Sequence, residues 1–119
     1  VASVADGKEY EARLKGLKPL DPDVRLEIEG ELNRPPYEKN AGVSRLLTHA
    51  RQLAAELGFS LEDIATGGGS DGNFTAEFVP TLDGLGVDVE GAHTLNEHLF
   101  ISSILPRMML QRRLMETLQ

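Results

Sequence analysis

The sequence contains no cysteine, so disulfide frameworks and thiolate chemistry are excluded and no redox compartment is indicated. Basic residues are also in the minority. The chain has 12 Lys and Arg against 19 Asp and Glu, and its net charge is −7. Nucleic-acid binding requires Lys and Arg gathered on one surface, so this composition argues against a nucleic-acid partner.

Long apolar runs are missing as well. No stretch approaches the ~18 apolar residues of a membrane-spanning helix, and the first residues lack the basic and apolar segments of a secretory signal. We therefore expect a soluble, cytoplasmic protein with no membrane partner. Its 119 residues, 40% hydrophobic and 26% charged, suffice for one globular core.

Glycine, by contrast, is concentrated between residues 66 and 93. Three glycine-dense turns, TGGGSDGNF, PTLDGLG and EGAH, are separated by short apolar runs, and the last turn ends on His93. Glycine allows main-chain N–H groups to approach a ligand closely, while Asp71, Asp83 and His93 add charged or metal-binding groups. This pattern is more typical of a binding site than of a core.

Hydrophobic periodicity predicts three main helices. The first carries an acidic capping box, Asp6 with Glu9, and ends before Pro19. The second begins at the N-cap Asn40 and stops at Gly58. Its apolar face comprises Val43, Leu46, Leu47, Ala50, Leu53, Ala54 and Leu57.

The last helix is predicted to begin at the N-cap Ser103, with Pro106 tolerated in its first turn. A short helix is also predicted within residues 71–78, directly after the first glycine turn. On the last helix, the methionines Met108, Met109 and Met115 are expected to fill the core. The side chains predicted to face inward are Ile104, Leu105, Met108, Leu114, Met115 and Leu118.

Three segments have strand character. Residues 24–29 alternate apolar and charged side chains, which predicts a strand with one solvent-facing side. Short strands are also predicted within residues 59–66 and at residues 81–85. The alternation of helices and strands indicates an α/β fold, and the aperiodic residues 33–40, with two prolines, mark the best domain boundary.

Five motifs together closely resemble the C-terminal part of the zinc-dependent carboxypeptidase and deacylase family, which includes glutamate carboxypeptidases, aminoacylases and acetylornithine deacetylase. They are NRPP, GGGSD, PTLDGLG, GAH and PR, at residues 33–36, 67–71, 80–86, 91–93 and 106–107. In this family a ferredoxin-like lid or dimerisation domain is inserted in the catalytic domain. The resemblance implies that residues 1–34 are the last helix and strand of that lid. It implies that residues 35–119 are the C-terminal part of the catalytic domain.

The resemblance also implies that His93 coordinates one of two zinc ions. Neutral imidazole is a good zinc ligand, and the small residues before it let the loop approach the ion. A catalytic zinc needs at least three protein ligands, and the chain has no H-x-D motif or Glu-Glu pair to supply the others or the general base. We therefore predict no catalytic residue in this chain, and we expect Asp83, Glu90 and Glu97 to be structural or solvated.

Substrate contacts are implied for Asn33, Arg34, Gly68, Gly69 and Ser70. A guanidinium suits recognition of a carboxylate because its planar fork can pair bidentately, which a lysine cannot do. Without the family resemblance, Arg34 would be interpreted as a solvated loop residue. Residues 67–72 also match the dinucleotide fingerprint G-x-G-x-x-G, but no convincing buried strand precedes them, so nucleotide binding is disfavoured.

The predicted function is that of a C-terminal fragment of a zinc-dependent hydrolase that cleaves an amide bond next to a free carboxylate. Its partners would be the missing N-terminal part of the enzyme, a small peptide or N-acyl amino acid substrate, and a second copy bound through the lid. The chain alone would be inactive. The alternative is a non-catalytic module derived from the same family that dimerises or binds carboxylates. Of the two remaining histidines, His49 is expected to be solvated. His98 is expected to be a residue that lines the site or packs against its neighbours.

Overall fold

The computed structural model describes residues 1–118 of the chain. Its elements are α1 (Val4–Lys15), α2 (Ala41–Glu56), α3 (Gly72–Thr75), β1 (Val89–Glu90), β2 (His98–Leu99) and α4 (Ile101–Thr117). They fall into two compact units. The first comprises Val1–Lys39 and Thr66–Pro80, and the second comprises Asn40–Ala65 and the chain from Thr81 onward. The assignment of residues 1–34 and 35–119 to a lid and a catalytic domain stays a prediction.

Helix α1 begins earlier than the sequence suggests. The Asp6 main-chain N–H donates to Ser3 Oγ at 3.0 Å, so Ser3 caps the helix and Asp6 lies in its first turn. Gly7 is the buried residue of this helix, and a Cβ built there would lie 3.0 Å from Leu32 Cδ2. The helix therefore packs on the following extended segment through its smallest residue.

Helix α2 begins where the sequence predicts. Its N-cap Asn40 accepts a hydrogen bond from the Val43 main-chain N–H through Oδ1 at 3.0 Å. At the other end, Gly58 has φ of 87°, a left-handed conformation that glycine adopts readily. The Phe59 N–H then donates to the Ala54 carbonyl at 3.0 Å, which closes a Schellman motif. Both predicted ends of this helix are confirmed.

Removing the α2 cap should destabilise the second unit. We expect Asn40→Ala to lower the free energy of unfolding by about 1 kcal/mol, because the Val43 N–H loses its acceptor. Urea unfolding followed by circular dichroism measures this, with Asn40→Asp as the matched control that keeps a side-chain oxygen. An Ala variant as stable as the parent would contradict the capping role.

The core of the second unit lies between α2 and α4. Its buried residues are Ala50, Leu53, Ala54, Leu110 and Leu114. Partly buried side chains from the intervening segments pack around them, namely Leu57, Phe59, Leu61, Leu82 and Leu85. The core is therefore a helix pair covered by extended chain.

The predicted α/β fold is corrected to a mostly helical fragment with a two-stranded sheet. In the described part of the chain, residues 24–29, 59–66 and 81–85 form no strand. A strand needs a neighbour that pairs its main-chain N–H and C=O groups, and these segments have none there. The sheet consists instead of β1 and β2, which pair antiparallel with Glu90 opposite His98.

Helix α4 starts at Ile101, two residues before the predicted cap. Ser103 lies inside the first turn, where its Oγ donates to the Phe100 carbonyl at 2.7 Å, and Pro106 follows within the helix. Only a narrow stripe with Ser103, Leu110 and Leu114 is buried. The contact with α2 covers one stripe of the helix, so the other side chains predicted to face inward are exposed. They are Ile104, Leu105, Met108, Met115 and Leu118. The core role predicted for the methionines is therefore wrong for Met108 and Met115.

Within residues 1–118, no helix is both long and apolar enough to cross a membrane. This agrees with the absence of long apolar runs from the sequence. The cytoplasmic location stays a prediction.

Candidate functional site

The first unit brings Arg34 against the first glycine turn. Arg34 Nη1 donates to Asp71 Oδ1 at 3.3 Å, and the guanidinium carbon lies 5.2 Å from the centre of the Phe74 ring. A Cβ built at Gly69 would lie 3.0 Å from Arg34 Cδ. Two of the predicted substrate-binding positions, Arg34 and Gly69, are therefore in contact, and glycine is what permits the approach.

The glycine turn is fixed by side-chain hydrogen bonds to its own main chain. The Ser70 N–H donates to Asn73 Oδ1 at 2.7 Å, and the Gly72 N–H donates to Ser70 Oγ at 3.0 Å. Asn73 Nδ2 also donates to the Pro35 carbonyl at 2.8 Å. Asn73 thus joins the turn to the segment that carries Arg34. Asn73 was not among the site residues predicted from the sequence, although Asn at a turn that opens a helix is a recognised signal for such bonding.

The Arg34 cluster, defined here as Arg34, Gly69, Ser70, Asp71 and Phe74, is open to solvent. The Arg34 side chain is 40% exposed and that of Asp71 is 96% exposed. An exposed pair of this kind contributes little to stability, about 0–1 kcal/mol. A guanidinium has five N–H donors, and the bond to Asp71 is long and single, so the cluster is able to accept another carboxylate. Of the other predicted contacts, Asn33 and Gly68 are exposed in the same unit.

His93 lies in the second unit, in the loop that joins β1 to β2. Its φ is 64°, in the left-handed region. Its main-chain N–H donates to Glu97 Oε2 at 2.9 Å, and the residue is exposed. Gly91 has φ of 68°, and a Cβ there would lie 3.0 Å from the Asn96 carbonyl oxygen. The loop is therefore tight, and glycine at position 91, two residues before the histidine, is sterically required.

The base of this hairpin is tied to α4. Arg107 Nη2 donates to Asp88 Oδ1 at 2.6 Å, and the Asp88 N–H donates to Ser103 Oγ at 2.9 Å. The Phe100 N–H donates to the Asp88 carbonyl at 2.9 Å. The Arg107 side chain is only 17% exposed and lies over Phe59. Arg107, the arginine of the fifth motif, therefore anchors the strand that leads to His93.

A complete metal site is not formed by residues 1–118, which contain no group of three or more His, Cys, Asp or Glu able to hold an ion. His98 is engaged elsewhere, since its Nδ1 bonds the Asn96 carbonyl at 2.8 Å and its ring packs edge-on against Phe100. Glu97, predicted to be structural or solvated, is exposed and accepts a hydrogen bond from the His93 main-chain N–H. His49, predicted to be solvated, is instead half-buried and bonds Thr117 Oγ1 at 2.7 Å.

A sequence profile of the Peptidase family M20/M25/M40 matches residues 3–117. The chain belongs to this family. The family resemblance predicted from the five motifs is thus confirmed. No solved structure matches the chain.

Two relatives, both named succinyl-diaminopimelate desuccinylase, show how much of a longer protein this chain matches. It is 36% identical over 99 residues to the succinyl-diaminopimelate desuccinylase of Ralstonia nicotianae and 33% identical over 97 residues to that of Verminephrobacter eiseniae. These alignments cover 83% and 81% of this chain. They cover 24% of each relative, so the chain spans about a quarter of the length of these two relatives.

Proposed function

We propose that this chain is the C-terminal part of an M20 hydrolase that cleaves an amide bond next to a free carboxylate. The observation that carries the proposal is the contact between Arg34 and the glycine turn at Gly69. Support also comes from the relatives, whose name describes removal of a succinyl group, an acyl group with a free carboxylate. Substrates of this class are N-acyl amino acids or small peptides with a carboxylate beside the scissile bond.

Arg34 would bind that carboxylate. Its guanidinium is held from one side by the Phe74 ring, which limits the orientations of the planar fork. The incoming carboxylate would replace Asp71, whose bond to the guanidinium is long, at 3.3 Å, and exposed to solvent. Main-chain N–H groups near Gly68 and Gly69 and the side chain of Asn33 would complete this substrate subsite.

His93 would supply one ligand to a pair of zinc ions. An exposed imidazole on a tight loop fits this role, since a neutral ring nitrogen is a common zinc ligand. Bound zinc lowers the pKa of a coordinated water and polarises the substrate carbonyl. The remaining ligands and the general base would come from the N-terminal part of the longer enzyme, so this chain alone should be inactive.

Residues 1–34 would belong to a lid that also forms a homodimer. Several apolar side chains of this segment are exposed, including Leu20, Val24 and Leu26. The alternating residues 24–29 carry main-chain groups without a strand neighbour in the described part of the chain. Both features support pairing of this segment with the rest of the lid in a complete enzyme. A cytoplasmic enzyme would fit the composition of the chain.

Hydrolysis by the complete enzyme tests this proposal. We expect turnover of an N-succinyl or N-acyl amino acid, and kcat/KM should fall when the free carboxylate beside the scissile amide is converted to a primary carboxamide. The fall should be about 10- to 150-fold, because one charge-assisted, bidentate interaction of about 1.5–3 kcal/mol is lost. The 119-residue chain alone, assayed in parallel, should be inactive. Absence of turnover by the metal-loaded complete enzyme would favour the alternative, a non-catalytic carboxylate-binding or dimerisation module.

A further inference from the structure

The main chain at His93 has an unusual conformation. Among residues 1–118, His93 is the non-glycine residue with positive φ, at 64°. Side chains with a Cβ disfavour the left-handed region, so such a residue persists only where its surroundings hold it. In the described part of the chain, the group that accepts the His93 N–H is a side chain and not a main-chain carbonyl of the turn.

Glu97 is that group. Its Oε2 accepts the His93 main-chain N–H at 2.9 Å across the loop. Glu97 is itself fixed, because its own N–H donates to the Thr94 carbonyl at 3.2 Å. Thr94 in turn bonds the Gly91 carbonyl through both its N–H, at 3.0 Å, and its Oγ1, at 2.7 Å. The carboxylate therefore closes a network that spans the whole loop.

We propose that Glu97 is a positioning residue that holds the main chain of His93 in its left-handed conformation and so sets the direction in which the imidazole is presented to a metal. The first half of the proposal, the main-chain conformation of His93, is independent of the proposed function. The second half, presentation of the imidazole to a metal, rests on the proposed function. A carboxylate is suited to the task because its hydrogen bond to an N–H is charge-assisted. Groups that orient metal ligands contribute to metal affinity without touching the ion.

The first half of the proposal is tested in the 119-residue chain by nuclear magnetic resonance. In Glu97→Ala, we expect the His93 amide proton to exchange at least tenfold faster with solvent. We also expect a change in the scalar coupling between the amide and α protons of His93, which reports its φ. Glu97→Gln keeps a carbonyl oxygen as acceptor and should restore most of the protection. Glu90→Ala is the matched control, since Glu90 lies on the same hairpin but faces His98, with Nε2 to Oε2 at 3.8 Å. An unchanged φ and unchanged amide protection in Glu97→Ala would overturn the proposal.

The second half is tested in the complete enzyme by titration with zinc and with cobalt, whose spectrum reports the ligand geometry. Glu97→Ala should weaken metal binding by about 10- to 100-fold, and Glu97→Gln should remain close to the parent. A Glu97→Ala enzyme with an altered His93 conformation but parental metal affinity would refute the positioning role. If His93→Ala also keeps its metal, the ligand assignment in the proposed function fails, while the conformational result in the 119-residue chain stands separately.

Discussion

Replacing His93 by Ala in the complete enzyme should remove metal from the protein and lower kcat by several orders of magnitude. The substitution deletes a proposed zinc ligand, and with the ion are lost the acidified water and the polarised carbonyl on which amide hydrolysis depends. Metal content is measured by mass spectrometry of the dialysed protein. The kcat is measured with an N-acyl amino acid as substrate. We expect both to fall together.

His98→Ala is the matched control for this experiment. His98 lies on the same hairpin and is also exposed, but its ring packs against Phe100 and its Nδ1 bonds a main-chain carbonyl. It should therefore keep its metal. A His93→Ala enzyme with a full metal complement would contradict the assignment of His93 as a ligand.

Replacing Arg34 by Lys should reduce kcat/KM for carboxylate-bearing substrates by about 10- to 150-fold, a cost of roughly 1.5–3 kcal/mol, with metal content intact. Lysine keeps the charge but loses the planar fork, and it also loses the flat contact that Arg34 makes with the Phe74 ring. Steady-state kinetics with the carboxylate substrate and its carboxamide measure the effect. The kcat/KM values of Arg34→Lys for the carboxylate substrate and for its carboxamide should differ less than those of the parent enzyme.

Arg45→Lys serves as the control, because Arg45 is exposed on α2 outside the Arg34 cluster. It should behave as the parent enzyme. If Arg34→Lys also retains parental kcat/KM for carboxylate substrates, Arg34 does not recognise the carboxylate. The two variants, His93→Ala and Arg34→Lys, thus separate loss of metal from loss of substrate recognition.

The family motifs could be recognised in the sequence, but which of them lie in contact in the folded chain could not. The sequence placed Arg34 and Gly69 in separate motifs, and nothing in their spacing shows that they touch. Asn73 supports their contact, because its amide bonds the Ser70 N–H and the Pro35 carbonyl and so joins the glycine turn to the segment that carries Arg34. The bond to Pro35 joins residues 38 positions apart, and a long-range bond of one side chain leaves no periodic signal in the sequence.

The family could be recognised from the five sequence motifs, and helix α2 could be predicted from the sequence with both of its ends. The two ends of α2 follow from local chemistry: an Asn side chain caps the first turn, and a glycine adopts positive φ after the last. Three features could be seen only in the folded chain: the buried stripe of α4, the ties of the His93 hairpin to Asp88 and Arg107, and the choice of segments that form strands. Burial and strand pairing depend on a neighbour that is distant in sequence, and for residues 24–29, 59–66 and 81–85 the described part of the chain supplies no pairing strand.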